Sequence, residues 1–328
     1  MILRARSVGL ILLVWLALVA LLLSVAFGAA NLPISTVLDV VLGGGEPTER
    51  TIVLELRMPR AVLGLVSGGS LAVSGAVFQA LLRNPLAEPY VLGISGGAAV
   101  GAVAVIVLGV ATGLVPVGAL LGALVAIGLV LRIATQTGRG LDTRVLLLAG
   151  VIASAFFQAI ILVLLTLADV ESFRSAVFWM MGSLASATWT DATMLGLYVA
   201  PSIVVLLALA RPLNLLATGE ETAQHLGLNV QRTKLVAFLV ASLLVAASVA
   251  VCGVIGFIGL VIPHAIRMIW GVDHRFLLPA SFIGGGAFLL LADTGARTVA
   301  APAELPIGVI TALIGVPIFV VLLRRRIA

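Results

Sequence analysis

Continuous apolar runs of about 20 residues recur along the whole of this sequence, and each is long enough to cross the roughly 30 Å hydrocarbon core of a bilayer as a helix. The runs lack the alternation of a membrane β-strand, and backbone groups in hydrocarbon must find hydrogen bonds within their own segment. Of the 328 residues, 62% are hydrophobic and 10% are charged, which excludes an ordinary soluble domain. The sequence therefore predicts an all-α polytopic membrane protein.

The polar interruptions between these runs predict ten spans within a single transmembrane domain, residues 1–328. The predicted spans are 8–28, 59–82, 91–110, 114–133, 144–168, 191–210, 234–252, 254–270, 276–298 and 307–323. An even number places both termini on one side of the membrane. Cytoplasmic loops are rich in Lys and Arg, and with both termini in the cytoplasm most of the 19 basic residues lie inside. The outside then keeps only Arg50, Arg57, Arg60, Arg174 and Arg297.

The first apolar run could be mistaken for a cleaved secretory signal, because Arg4 and Arg6 precede it and small residues follow at 28–30. The apolar region of such a signal is only about 7–15 residues long. The run from Val8 to Phe27 is longer. We therefore expect a retained first span, with cleavage as the alternative.

One polar segment, residues 211–234, separates the two hydrophobic halves of the chain. Within it, Thr218 is a predicted N-cap, Glu220 and Glu221 fall in a first helical turn, and Gly227 is placed to end that turn. Basic residues beside the neighbouring spans indicate the cytoplasmic side: Arg211, Arg232 and Lys234. The segment is thus predicted to be a short cytoplasmic surface helix that docks a soluble partner.

Small residues in and after the second span indicate close helix packing. They recur at every fourth position of that span: Gly64, Gly68, Ala72, Ala76 and Ala80. Such a face lets helix backbones approach closely, either as a special contact or as ordinary bundle packing, and both alternatives place the helix in the interior. The prolines of residues 83–89 predict a stiff cytoplasmic turn. Residues 92–98 then form either a broken segment lining a cavity or a tight turn with close packing.

No catalytic or metal-binding pattern is identifiable in the sequence. A phosphate-binding loop for ATP needs a lysine followed by a hydroxyl residue, and the only lysine, Lys234, is followed by Leu235. This polypeptide is therefore predicted not to hydrolyse ATP. The three histidines lack metal-ligand spacing: His225, His264 and His274.

Several motifs in order along nearly the whole chain resemble the FecCD/BtuC-like permease family of bacterial ABC importers for iron-siderophores, haem and cobalamin. The motifs are RMPR at 57–60, SGAVFQ at 74–79, NPLAEP at 84–89, LGIS at 92–95, GEE at 219–221, LG at 226–227, GFIGLVIPH at 256–264 and ELPIG at 304–308. The resemblance implies a homodimeric translocation pathway with ten helices per subunit. It also implies multi-pass insertion in the bacterial cytoplasmic (inner) membrane, in contact with lipid.

The resemblance further implies partners and site residues. Two cytoplasmic ATPase subunits would bind ATP and Mg, an external protein would deliver the substrate, and this chain would bind no cofactor. The arginines of the chain lie in short loops between the apolar runs, which indicates membrane topology rather than nucleic-acid binding. As a coupling helix, the polar segment would contact the ATPase through Thr218, Gly219, Glu220, Ala223 and Gly227. Docking of the binding protein would use Arg57, Arg60 and Arg297. The cytoplasmic gate would include Asn84, Leu86, Thr143 and Arg144, where Asp142 and Arg144 are charged although relatives have Ser or Thr.

Two other functions remain as alternatives. An ion-coupled secondary transporter would need an intramembrane carboxylate such as Asp293 or Glu304 in its pathway. Arg297 lies four residues after Asp293, so the two side chains can pair along one helix face and neutralise that site. A membrane-embedded enzyme would need a catalytic constellation that the sequence does not present.

Overall fold

The computed structural model describes residues 2–28, 32–136 and 141–327, with side chains at 6–28, 32–136 and 141–322. Arg139, one of the basic residues predicted to lie on the cytoplasmic side, is outside the described residues. Within these ranges the chain consists of helices and short connections, without a β-strand. The prediction of an all-α protein is confirmed.

Among the described residues, seven helices are long and apolar enough to cross a membrane, and three shorter helices are also apolar. Together these ten helices correspond to the ten predicted spans. They are α1 (Ile2–Ala26), α4 (Met58–Leu81), α5 (Ile94–Val107), α6 (Val115–Thr135), α7 (Thr143–Leu167), α9 (Trp189–Ala208), α12 (Val230–Cys252), α13 (Ile258–Trp270), α14 (His274–Thr298) and α15 (Ile307–Ile327).

Shorter helices complete the described fold. They are α2 (Ile34–Val41), α3 (Pro47–Arg50), α8 (Val170–Met180), α10 (Ala210–Thr218) and α11 (Glu220–His225). A π-helical turn joins α3 directly to α4, so the helical backbone continues from Pro47 to Leu81, well before the predicted start at residue 59.

Three helices form the interior of the fold. In α4, 83% of the most apolar window is buried, and in α12 and α14 the figure is 67%, compared with 22% in α1 and α9. Hydropathy alone does not separate these groups, because lipid and protein interior are both apolar. The stripe of small residues marks α4 itself, and the predicted interior position of that helix is confirmed.

The small residues of α4 make a close contact with α14. A Cβ atom added to Gly68 would collide with the backbone carbonyl of Gly285, and one added to Gly285 would collide with Ala72. The backbones of α5 and α6 approach in the same manner at Gly101 and Gly118. Lipid tails are as apolar as the helices, so the hydrophobic effect does not drive the helices together in the membrane. Close contacts of this kind stabilise the bundle by van der Waals packing instead.

An extended break of five residues, 253–257, separates α12 from α13 and was missed in the sequence, where a span was predicted to begin at residue 254. Gly253 and Phe257 both have positive φ, at 71° and 69°. Phe257 is not glycine, so its neighbours must hold this backbone conformation. Residues 92–98 instead form a tight turn at Gly93 and the start of α5, which supports the tight-turn alternative.

Gln79 of α4 satisfies a carbonyl that Pro263 leaves without a donor. Pro263 lies inside α13 and has no N–H, so the carbonyl of Gly259, four residues earlier, lacks its helical hydrogen bond. The Nε2 atom of Gln79 donates to that oxygen at 3.0 Å, and Arg267 donates to the Oε1 atom of Gln79 at 2.7 Å. A buried side chain thus replaces the missing backbone group within the membrane domain.

The short polar helix is present, but its predicted N-cap is wrong. Thr218 is the last residue of α10, and its hydroxyl donates to the carbonyl of Leu215. Gly219, with φ of 127°, occupies the N-cap position of α11. The helix ends as predicted, because Gly227 adopts a positive φ of 82° just after it.

Candidate functional site

Charged side chains gather at the two opposite ends of α4. Arg57 and Arg60 lie at its start, and Arg83 lies just after its end. A helix of 24 residues with a rise of about 1.5 Å per residue is about 36 Å long, so the two charged clusters lie on opposite sides of the bundle. We call them the outer cluster and the cytoplasmic cluster, following the predicted topology.

Asp293 is the centre of the outer cluster. Its carboxylate accepts hydrogen bonds from Arg60 at 2.9–3.2 Å and forms an ion pair with Arg297 at 3.1 Å. Arg60 also binds Glu304, at 3.0 and 3.2 Å. The Asp293–Arg297 pair confirms the prediction made from their spacing, whereas the two partners of Arg60 were not predicted.

The other two arginines of the outer cluster bind the carboxyl-terminal end of α1. Arg57 donates to the carbonyls of Val25 and Ala26, both at 2.7 Å, and Arg297 donates to the carbonyl of Ser24 at 2.9 Å. The last four carbonyls of a helix have no partner within it, and the negative end of the helix dipole favours cations. These contacts therefore fasten α1 to α4 and α14.

The side chains of the outer cluster differ sharply in exposure. Asp293 is 1% exposed and the three arginine side chains are 6–11% exposed, whereas Glu304 is 43% exposed. The cluster contains three guanidinium groups and two carboxylates, so it carries a net positive charge. A partner that approached this end of the fold would meet Glu304 first, with that positive charge behind it.

Glu220 is the centre of the cytoplasmic cluster. Its Oε1 atom accepts a hydrogen bond from Lys234 at 2.6 Å and one from Thr143 at 3.1 Å, and it lies 3.6 Å from Arg83. Lys234 is 4% exposed, and it also donates to Thr143 at 3.0 Å and to the carbonyl of Leu141 at 2.8 Å. One carboxylate thus joins α11 to α7, to α12 and to the turn after α4.

The structure brings part of the predicted gate to this cluster. Thr143 and Arg144 form the first turn of α7, which is capped by Asp142. Hydrogen bonds from the backbone N–H groups of Arg144 and Val145 lower the pKa of Asp142. The side-chain oxygen of Asn84 accepts a hydrogen bond from the N–H of Leu86 and so caps the turn. Leu86 is 46% exposed. An open polar groove of about 510 Å³ runs between the start of α7 and α11.

The predicted ATPase-contact residues fall into three groups by exposure. Thr218 and Gly227 are exposed on the surface of the polar segment, and Gly219 and Glu220 are partly buried. Ala223 is fully buried and packs in the core of this chain, and its contact with the ATPase stays a prediction.

Leu226, at the end of α11, is 63% exposed and was not predicted. A large apolar residue within a polar segment is the sequence feature that could have identified Leu226 as a candidate contact residue.

A second polar network ties other elements together near the cytoplasmic end. Asp273, the N-cap of α14, binds Arg6 at 3.1 Å, Arg275 at 2.9 Å and Asn214 at 2.8 Å. Its hydrogen bonds from Arg275 hold the pKa of this carboxyl well below its usual range. The network joins α1, α10 and α14, and it was not predicted because Arg6 and Asn214 lie far from Asp273 in the chain.

An open apolar cavity of about 620 Å³ lies at the surface where the break meets α15, and Phe257 and Gly308 line it. Side chains of the turn before α5 hold the break in place. Glu88 accepts from the N–H of Phe257 at 2.7 Å, and Tyr90 donates to the carbonyl of Ile255. Burial raises the pKa of Glu88, and its hydrogen bond from Phe257 opposes that shift.

No group of three His, Cys, Asp or Glu side chains suited to a metal ion occurs in the part of the chain that the structure describes. The described fold consists of tightly packed apolar helices with polar clusters at both ends. This arrangement defines a polytopic membrane protein.

Residues 16–325 match the model of the FecCD transport family, and the chain belongs to that family. It is 47% identical over 285 residues to the cobalamin import system permease protein BtuC of Halobacterium salinarum, covering 86% of this chain and 76% of that one. It is 43% identical over 319 residues to the hemin transport system permease protein HmuU of Yersinia pestis, covering 94% of each chain.

The fold is also similar to a solved structure described as an inward-facing conformation of a metal-chelate type ABC transporter. The TM-score is 0.86 at 32% identity, and the match covers 96% of this chain and 98% of that one. The resemblance to the permease family noted in the sequence is confirmed.

Proposed function

We propose that this chain is the permease subunit of an ATP-driven importer for a metal chelate, such as cobalamin, haem or an iron-siderophore. Two copies would form the pathway in the cytoplasmic membrane, with both termini in the cytoplasm. Two ABC ATPase subunits would bind ATP and Mg inside, and a binding protein would deliver the substrate from outside. The chain itself would have no catalytic role.

The observation that carries this proposal is the direct link between α11 and the start of α7. A short polar helix with an exposed surface is suited to a soluble partner, and Glu220 joins it to Thr143 over 3.1 Å. A partner that moves α11 therefore moves a predicted gate residue. The similarity to permeases of ABC transporters supports an ABC ATPase as that partner.

The outer cluster supports docking of a binding protein that carries acidic residues. The net positive charge of Arg57, Arg60 and Arg297 would steer such a partner, and the attraction would weaken with salt. In this structure all three guanidinium groups bind acceptors of the chain itself. Their proposed role is therefore to set the electrostatic potential of the surface, which Glu304 modulates.

The chemistry of the cavity supports a large, weakly bound substrate. Its lining is mostly aliphatic, with Met180 and Phe257, and it offers no charged side chain. A pathway of this kind would release a chelate readily, and selectivity would reside in the binding protein. The two relatives named above are a cobalamin import permease and a hemin transport permease, which supports a metal chelate as the substrate.

Uptake into liposomes that contain the permease and its ATPase, with the binding protein outside, tests the proposal. Labelled cobalamin, hemin and a ferric siderophore are compared, each with and without enclosed ATP. We expect ATP-dependent accumulation of one of the three. Accumulation that ignores ATP and follows an imposed proton gradient would instead establish the secondary transporter.

The secondary-transporter alternative has no support from the geometry of the outer cluster. Asp293 is held by two arginines within 3.2 Å, and Glu304 is held by one of them. A carboxylate so engaged is poorly placed to exchange a proton or sodium ion during transport.

A further inference from the structure

The short helix α11 is held in place by side chains rather than by its own backbone. It has only six residues, and a helix of fewer than about 12–15 residues is marginal by itself in water. Gly219 precedes it and Gly227 follows it, both with positive φ, so the chain can bend at either end. Its orientation against the rest of the fold must come from tertiary contacts.

Two such contacts are present. Ala223 packs in the core, and Glu220 forms the ion pair with Lys234 at 2.6 Å and the hydrogen bond with Thr143 at 3.1 Å. The Ala223 contact is apolar and sets no direction along the membrane surface. The Glu220 contacts are directional and reach two different helices, α12 and α7.

The burial of Lys234 makes the Glu220 contact more than a surface ion pair. The Lys234 side chain is 5% exposed and that of Glu220 is 27% exposed. Exposed pairs contribute little, whereas removing one partner of a buried pair leaves a charge without compensation. The pair is therefore suited to transmit a displacement of α11 to the helix bundle.

Glu221, the neighbouring residue, has the opposite environment. Its side chain is exposed, it lines the cytoplasmic groove, and it forms no hydrogen bond or ion pair with another described residue. On a six-residue helix, the side chain of Glu221 thus faces solvent, whereas that of Glu220 is turned toward the fold.

We infer that Glu220 is a positioning residue that transmits movement of α11 to the cytoplasmic gate through Lys234 and Thr143, rather than a residue that contacts the ATPase. This inference rests on the proposed function, in which the ATPase moves α11. The ion pair with Lys234 keeps α11 attached to α12, and the hydrogen bond with Thr143 passes the displacement to the first turn of α7. Loss of the carboxylate charge uncouples the two ends of this path without removing the surface that docks the ATPase.

The test compares Glu220→Gln with Glu221→Gln in liposomes that contain the permease and its ATPase, with the binding protein and labelled cobalamin or hemin outside. The measured quantity is substrate accumulated per ATP hydrolysed. For Glu220→Gln we expect the ATPase to remain bound and active while this ratio falls by about 5- to 150-fold, the range typical of coupling between two sites. For Glu221→Gln we expect the ratio to stay close to that of the unaltered protein.

The outcomes separate this inference from the proposed function. An unaltered ratio in Glu220→Gln, beside ATP-dependent uptake by the unaltered protein, overturns the inference alone. Absence of ATP-dependent uptake by the unaltered protein overturns the proposed function and the inference with it. Loss of ATPase binding in Glu220→Gln, with normal binding in Glu221→Gln, also overturns the inference, because it would assign Glu220 to the docking surface.

Two further measurements keep the inference testable if Glu220→Gln assembles poorly. Thr143→Val retains the ion pair and removes only the hydroxyl, and it should lower the ratio with the ATPase still bound. Spin labels at Gln224→Cys and Thr135→Cys, both exposed positions, report the distance from α11 to the end of α6 in the permease without ATPase. Glu220→Gln should broaden that distance distribution, and an unchanged width would overturn the inference.

Discussion

Asp293 is the residue on which the outer cluster depends. It is 1% exposed and compensates the charges of Arg60 and Arg297, which are themselves mostly buried. Breaking a buried ion pair is costly because the remaining charge cannot regain its water. Glu304, at 43% exposure, is the weaker of the two acids because solvent screens its interaction.

We therefore predict that Asp293→Asn lowers the free energy of unfolding by about 3–5 kcal/mol. The matched variant Glu304→Gln should lower it by only about 0.2–1 kcal/mol, as expected for an exposed pair. Denaturant titration of both variants in the same detergent measures the difference. Equal effects of the two substitutions would mean that Asp293 is not the centre of the cluster.

At this scale the sequence was informative only where partners are close along the chain. Asp293 and Arg297 are one helical turn apart, so their pairing followed from the helix period. Arg60 and Asp293 are 233 positions apart, and no local pattern can bring them together. Glu220 was assigned to the surface of the short helix, because a sequence pattern does not say which of two adjacent acids turns inward.

At the scale of the element, α13 depends on a side chain from α4. Gln79→Leu would leave the carbonyl of Gly259 without a donor, and a buried acceptor without a partner costs about 1–3 kcal/mol. We predict a loss of unfolding free energy of that size. The effect should be smaller by about 0.5–1.5 kcal/mol in a Pro263→Ala background, because alanine restores the N–H that can reach Gly259.

A double-mutant cycle of Gln79→Leu and Pro263→Ala, followed by denaturant titration, measures this coupling. If the two effects add without interaction, Gln79 does not serve the carbonyl that the proline exposes.

The contact between α4 and α14 gives a second prediction about elements. Gly68→Ala places a methyl group against the carbonyl of Gly285, and neither backbone can turn away, so we expect a loss of about 1–3 kcal/mol. Gly128→Ala in α6 is the matched control, because no atom lies near its added methyl group. It should be neutral or stabilising by up to about 1 kcal/mol, since alanine favours the helix.

Unfolding of both glycine variants in detergent checks the comparison. A similar loss at Gly128 would show that the effect comes from the helices themselves rather than from their contact.

All ten apolar helices were predictable from the sequence, because length and hydropathy identify a helix that must satisfy its backbone in lipid. The break at residues 253–257 was not, because Val254, Ile255 and Phe257 are as apolar as the helices on either side. The backbone groups of the break are held by Glu88 and Tyr90, from a distant turn. Hydropathy depends only on the residue types of a segment, so it does not indicate which distant groups bind the backbone of that segment.

At the scale of the whole molecule, α4 connects the two clusters. The outer cluster fastens it to α1 and α14, and the cytoplasmic cluster joins its far end to α7, α11 and α12. A partner at either end can shift the conformation only if its contacts differ between the two states. Directional polar contacts at the ends of rigid helices can differ between two conformations more readily than the contacts of a uniformly apolar bundle.

Leu226 lies on the surface of the polar segment that would bind the proposed ATPase partner. Leu226 is 63% exposed at the end of α11, beside polar residues, whereas Ala223 is fully buried. Buried apolar anchors at the centre of an interface contribute about 2 kcal/mol or more when truncated, and 1.4 kcal/mol corresponds to about tenfold in affinity. Leu226→Ser should therefore weaken ATPase binding by about tenfold or more while the permease remains folded.

Leu197→Ser is the matched control, since Leu197 is 71% exposed on α9 and belongs to an apolar helix instead of the polar segment. Titration of detergent-solubilised permease with the ATPase measures both affinities. We expect binding to be weakened by Leu226→Ser alone, because only that leucine leaves the bilayer to face a protein. Equal weakening by both would place the ATPase contact outside the short helix, and the link from α11 through Glu220 to the gate would then have no partner to drive it.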